Sequence, residues 1–155
     1  MKTLLIVYHT GGVKTAQLAE AVERGARAAV DESGGVRVVV KRCADAGPED
    51  VLAADGLILG TPENFGYMSG MMKDFLERVF YACEGKVNGR PWALFVGAGQ
   101  DGSGAVASVE RIVLGLRLKK VLEPIVVTKD LQADHLARCE ELGAAFASGL
   151  ALGVF

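Results

Sequence analysis

Leu4-Leu5-Ile6-Val7-Tyr8, running into His9-Thr10-Gly11-Gly12-Val13-Lys14-Thr15, is the stretch on which the fold turns. A short apolar run without alternation fits a strand buried on both faces, as in a parallel sheet covered by helices. After the glycine loop, Leu18, Val22, Gly25 and Ala29 recur at helical spacing, which predicts a helix over 14–31. The same strand–loop–helix pattern then repeats to the end of the chain. Val36 to Val40 reads as a second strand, and Gly47-Pro48-Glu49-Asp50 opens a short helix, since proline suits a first turn. Leu57-Ile58-Leu59 is a third strand that stops at Gly60. Met72, Phe75, Leu76, Val79 and Phe80 form the stripe of another helix. Trp92 to Val96 is a fourth strand, followed by a helix carrying Val106, Val109, Val113 and Leu116. Val121 to Val127 is a fifth, placed at an edge because it contains Pro124. The last helix starts at about Ala133, with Leu136, Cys139, Gly143, Phe146 and Leu150 inward.

Five such units predict an α/β fold with a doubly wound, five-stranded parallel sheet and helices on both faces. The 155 residues make one domain, 1–155. Apolar residues make up 50% of the chain and charged residues 23%, which excludes disorder. Lys and Arg number 17 against 19 Asp and Glu, a net charge of −2 that provides no field for nucleic acid or anionic lipid. The three cysteines, Cys43, Cys83 and Cys139, are odd in number and far apart, so neither a disulfide framework nor a zinc site is expected. The apolar start is too short for a signal peptide and no run has membrane-spanning length. A soluble, cytoplasmic protein without metal is the expectation.

In doubly wound sheets ligands bind beyond the carboxyl ends of the strands. Three segments qualify: 9–15, 61–67 and 97–104. In the first, Gly11 and Gly12 let backbone N–H groups turn inward at a helix start, where Thr10, Thr15 and Lys14 add donors and charge, a phosphate cradle. A nucleotide-triphosphate loop is excluded, because Val13 and Tyr8 stand where that motif needs glycine. In the third segment, Gly97-x-Gly99-x-x-Gly102 matches the letter of a dinucleotide fingerprint. It follows the fourth strand rather than the first, so a glycine-rich wall for another ligand is the better reading. The second, Gly60-Thr61-Pro62-Glu63-Asn64-Phe65-Gly66-Tyr67-Met68-Ser69-Gly70, sets Phe65 and Tyr67 in a polar loop. Aromatic rings beside backbone amides suit a flat heteroaromatic ligand.

Thr61 to Ser69, running into Met72-Lys73-Asp74-Phe75-Leu76-Glu77-Arg78, resembles the flavin loop and following helix of flavodoxin-like NAD(P)H-dependent oxidoreductases. The resemblance is to the quinone reductases of the tryptophan-repressor-binding-protein type. The opening, with Tyr8-His9-Thr10 and Thr15, is similar to that family's phosphate loop. The family's usual loop is richer in hydroxyls and has glycine where Val13 or Lys14 stands here. The resemblance implies strand order 2-1-3-4-5 and non-covalent FMN. Thr10, Gly12, Val13, Lys14 and Thr15 would surround the phosphate. Pro62, Glu63, Asn64, Phe65 and Gly66 would line one edge of the ring, and Ala98, Gly99, Gln100, Asp101 and Gly102 would close the other side.

The resemblance also implies an enzyme that takes electrons from NAD(P)H through FMN to a quinone or similar small acceptor. No side chain is assigned a catalytic role, since the cofactor carries the chemistry. A flavodoxin-type electron carrier and a flavin-free interaction domain of the same fold are the alternatives. Against a carrier, the net charge is small and the third loop has no aromatic residue to cover the flavin. Apolar content and the cluster Phe65, Tyr67, Met68 and Met71 point to a homodimer or higher homo-oligomer.

Overall fold

The run at 4–8 forms the middle of β1 (Lys2–Tyr8). It lies parallel between β2 (Val36–Arg42) and β3 (Gly56–Asn64), with Leu5 level with Val39 on one side and Leu57 on the other. The computed structural model describes residues 1–155, the side chain of Ser33 excepted. A two-residue strand, β4 (Tyr67–Met68), folds back antiparallel on the end of β3. On the far side of β3 lies β5 (Pro91–Gly97), and the outer position is shared by β6 (Lys119–Lys120) and β7 (Ile125–Val127). Counting only the five parallel positions gives the expected 2-1-3-4-5 order. With every segment counted, the sheet has seven strands and its main path reads β2-β1-β3-β5-β6.

Two elements depart from the sequence reading. The fifth strand is not continuous over 121–127, because pairing lapses through Leu122-Glu123-Pro124 between β6 and β7. Proline has no N–H to give a ladder, and the lapse falls at the sheet edge where it is tolerated. The third strand does not stop at Gly60 but continues to Asn64, where Phe65 and Gly66 turn the chain into β4. Both turn residues have positive φ, 55° and 67°, the pattern of a two-residue hairpin turn. In a loop of mixed polarity this hairpin leaves no two-residue alternation long enough to read.

Five helices cover the sheet. α1 (Val13–Ser33) and α5 (Ala133–Leu152) lie on one face; α2 (Pro48–Ala53), α3 (Gly70–Cys83) and α4 (Ser103–Gly115) lie on the other. Strand alternation divides the core accordingly. Leu4, Ile6, Ile58 and Phe95 pack with Leu18, Val22 and Phe146, while Leu5, Val7, Leu59 and Val96 pack with Met72, Phe75 and Val109. Cys43, Cys83 and Cys139 are free and buried within these layers. Burial pushes the Cys43 thiol up to about 12 and Cys139 to about 11, which leaves them neutral packing groups. Among the described residues no helix is long and apolar enough to cross a membrane.

The α1–α5 pair depends on two glycines that the sequence marks only as inward positions. A side chain at Gly25 would begin 1.9 Å from the Glu140 carbonyl oxygen, and one at Gly143 would begin 2.0 Å from that of Val22. The two helices therefore touch backbone to backbone. Glycine inside a helix ordinarily costs about 1 kcal/mol against alanine, so Gly143→Ala on an open face would stabilise. Here the contact reverses the sign. Gly143→Ala should destabilise by about 1–3 kcal/mol, as overpacking does, read from the urea midpoint. A midpoint at or above that of the parent would refute the close approach.

Candidate functional site

The cleft lies at the carboxyl ends of β1, β3 and β5, where the three polar segments converge. It has a volume of about 340 Å³ and is lined by Gly11, Gly12, Val13, Lys14, Thr15, Pro62, Asn64, Gly97, Ala98 and Gly99. That size falls within the range of small-molecule sites. Eight of the fifteen residues expected at the cofactor are thus brought together, joined by Gly11 and Gly97. Thr10, Glu63, Phe65, Gly66, Gln100, Asp101 and Gly102 do not line it.

The first loop leaves the α1 N-terminus bare. The N-cap is Gly12, with no side chain to accept from the first turn and no acidic residue within that turn. Thr15 is the third residue of the helix. It is only 4% exposed and lies on the cleft wall, and among the described residues its hydroxyl has no hydrogen-bond partner. Gly97 makes room for it, since a side chain there would begin 2.6 Å from the Thr15 oxygen. Thr10 turns inward on its own loop, its hydroxyl bonding both the N–H and the carbonyl of Gly12. Lys14 Nζ crosses to the third loop and donates to the Ala98 carbonyl at 3.0 Å.

The second and third loops are locked by one carboxylate. Glu63 accepts from Gly102 N at 3.3 Å, Gly104 N at 3.1 Å and Ala105 N at 3.2 Å, and so caps α4 from the hairpin. Gly102, expected beside the cofactor, thus spends its amide on Glu63, as Gly104 and Ala105 do. Beside them Asp101 accepts from the amide and hydroxyl of Ser103, which holds its carboxyl below the usual carboxylate range. Gly102 sits in the left-handed region at φ 75°, where glycine is needed. The Gly66 carbonyl presses on α4, with 1.8 Å between its oxygen and the start of any side chain at Gly104.

Buried hydroxyls without a signal in the sequence complete the lock. Thr61 Oγ1 accepts from Ser69 N at 3.0 Å, and Ser69 Oγ caps α3 by accepting from Met72 N at 3.2 Å. Ser108 Oγ on α4 accepts from Met68 N at 3.0 Å. Isolated Thr and Ser carry no periodicity, so only the fold discloses that they meet.

The two aromatic residues of the hairpin do not wall the cleft. Phe65 is fully exposed at its tip, and Tyr67 lines a separate groove of about 670 Å³ between α3 and α4, with Leu76, Phe80, Tyr81 and Ile112. That groove is larger but lies on the outer helical layer, away from the strand ends. The expected apolar patch also shrinks, because Met68 is buried and Met71 packs against the core. Arg42, a further residue that its sequence context does not mark, ends β2 beside the first loop. Its guanidinium donates to the Thr10 carbonyl at 3.3 Å and stacks over the Tyr8 ring at 5.1 Å. His9 is held below its ordinary value, first by burial and then by Arg42.

Parallel sheet, strand order and strand-end cleft define the flavodoxin-like class. A solved flavodoxin, a WrbA-like protein from Agrobacterium tumefaciens, superposes with a TM-score of 0.76 over 98% of this chain and 99% of its own, at 20% identity. Within that class the chain belongs to the NADPH-dependent FMN reductase family, whose model matches residues 44–131. A flavodoxin of Aquifex aeolicus is 36% identical over 104 residues, 67% of this chain and 54% of its own length. An NAD(P)H dehydrogenase (quinone) of Acidithiobacillus ferrooxidans is 32% identical over 117 residues, 62% of this chain and 56% of its length. The match thus spans about half the length of these two relatives.

Removing the Glu63 carboxylate leaves three amides at the α4 N-terminus without their acceptor. Glu63→Ala should lower stability by about 1–2 kcal/mol, at the upper end for a lost cap. Thermal unfolding followed by circular dichroism checks this, and an unchanged midpoint would contradict the capping role.

Proposed function

We propose that this chain is an FMN-binding oxidoreductase that takes a hydride from NAD(P)H and delivers the electrons to a quinone or similar small acceptor. The observation that carries the reading is the start of α1: a first turn without a side-chain cap, a Thr15 hydroxyl with no protein partner and the Lys14 ammonium, all on one cleft wall. Helix N–H groups, a hydroxyl and a cation suit a phosphate monoester. Pro62 and Asn64 on one side and Ala98 and Gly99 on the other form the walls for a planar ring. When bound, FMN supplies a ring that accepts a hydride and releases its electrons singly or in pairs. The protein binds and orients it. The only charged side chain on the cleft wall is Lys14, so no residue is assigned as general acid or base.

The choice of enzyme over carrier rests on Gly99. It is exposed, and nothing lies within 4 Å of where a side chain would begin. The third loop therefore leaves one side of the site open to a nicotinamide or a quinone. The likeness to the Aquifex flavodoxin favours an electron carrier as the second reading. Stopped-flow mixing of FMN-loaded protein with NADH or NADPH, without added reductase, separates them. The enzyme reading expects the flavin to bleach and a small quinone to sustain many turnovers. Gly99→Trp should cut turnover at least about tenfold, the scale of about 1.4 kcal/mol in a barrier, while FMN stays bound. Absence of reduction by either nucleotide within minutes would leave the carrier.

Self-association belongs to the same reading, supported by the exposed Phe65, Tyr67 and Tyr81 at the hairpin and α3. Sedimentation at micromolar concentration should give at least a dimer mass, and a strictly monomeric mass would refute it.

A further inference from the structure

We propose that Lys14 makes the cleft specific for a phosphorylated flavin, as a strap that closes the site and must exchange a carbonyl for the phosphate when the ligand enters. The proposal rests on the FMN reading above and goes beyond it by naming the group that carries the discrimination.

Lys14 is the second residue of α1, and its side chain lies across the end of β5. Its Cδ and Cγ are 3.4 and 3.5 Å from where a Gly97 side chain would begin, and its Nζ ends on the Ala98 carbonyl. Gly97 is thus open enough for the lysine chain to pass over it. Arg42 also stands beside the first loop, on the Thr10 carbonyl and over the Tyr8 ring, but it does not line the cleft as Lys14 does. Of the two loop hydroxyls, that of Thr10 is tied to Gly12, and only that of Thr15 is without a partner among the described residues.

A phosphate monoester carries about −1.5 to −2 at neutral pH, whereas a helix N-terminus offers the equivalent of about +0.5. The helix and one hydroxyl leave most of that charge uncompensated, and the one cation on the cleft wall is Lys14. Its present partner is a neutral carbonyl, a weaker acceptor than a phosphate oxygen. Exchange therefore favours entry of a phosphorylated ligand. An unphosphorylated flavin has nothing to offer in return, so for it the strap is only an obstacle.

The two ligands should respond to Lys14 with opposite sign. FMN and riboflavin are titrated into apoprotein by fluorescence quenching at low and moderate salt, using the parent, Lys14→Met, Lys14→Arg and, as a net-charge control, Lys86→Met. Lys86 is exposed and precedes β5, at the other end of the sheet. Lys14→Met should weaken FMN about ten- to a hundredfold, the scale of a lost hydrogen bond between charged groups, and flatten the salt dependence. Riboflavin should bind Lys14→Met as well as the parent or up to several-fold better. Lys14→Arg should keep the preference for FMN, and Lys86→Met should match the parent. An FMN affinity for Lys14→Met within twofold of the parent would overturn the proposal while leaving the FMN reading in place. So would parallel weakening of both flavins, or a loss in Lys14→Arg as large as in Lys14→Met. A parent protein that binds neither flavin would overturn the proposal together with the reading beneath it.

Discussion

The Glu63 carboxylate, held by three backbone amides of α4, is the contact on which the carboxyl end of this molecule depends. It joins the extended end of β3 to the first turn of α4, and so ties the second loop to the third. The neighbouring contacts presuppose it. The Gly66 carbonyl can seat against Gly104 only if the hairpin is held over the helix, and Met68 N reaches Ser108 only from the same position. The hairpin also carries a strained residue, since Phe65 takes φ 55° at a cost of about 1–2 kcal/mol for a bulky side chain. Three bonds from a carboxylate and a buried hydroxyl network are enough to hold it there.

The same carboxylate directs where an anion can bind. A helix N-terminus attracts negative charge, but at α4 that place is filled from within. Asp50 accepts from Gly47 N at α2, Ser69 caps α3, and His135 Nδ1 accepts from Gln132 N at α5. At α1 the Thr10 hydroxyl accepts from Gly12 N at 3.3 Å, but no side chain accepts from the first turn itself, and this helix begins on the cleft. Side chains take first-turn amides at α3 and α4, whereas the first turn of α1 opens on the cleft with none taken.

Much of this is legible in the residues because it follows from periodicity. The apolar runs at 4–8, 57–59 and 92–96 suit buried strands, and the inward glycines 25 and 143 fall on the helix faces that meet. The strand-end rule selects the three segments that line the cleft. What escapes depends on pairwise geometry that no period announces. Glu63 sits in the flavin-loop signature, yet its partners are backbone amides some forty residues on, supplied by a helix start whose position only the fold fixes. Phe65 and Tyr67 suit ring contacts by their type alone. A two-residue turn instead projects Phe65 into solvent, and Tyr67 meets α3 and α4 on the outer layer. Pro124 does mark an edge, but composition does not say that the lapse divides the strand.

The two ends of the cleft are built differently, and the difference bears on function. At the end proposed for the ring the lining residues are Pro62, Asn64, Ala98 and Gly99, and Ala98 N is spent on the Val127 carbonyl at 2.8 Å. Such walls position a flat ligand by shape and offer it no titrating group, which leaves the reacting face to whatever enters past Gly99. At the end proposed for the phosphate the groups are unspent or exchangeable: first-turn N–H groups, the Thr15 hydroxyl, and a lysine resting on a carbonyl. In the proposed FMN reading, binding energy would concentrate at the phosphate, the part of the ligand that does not react. That division fits the proposed redox function, because anchoring through the phosphate would hold the ring by a group that takes no part in the chemistry.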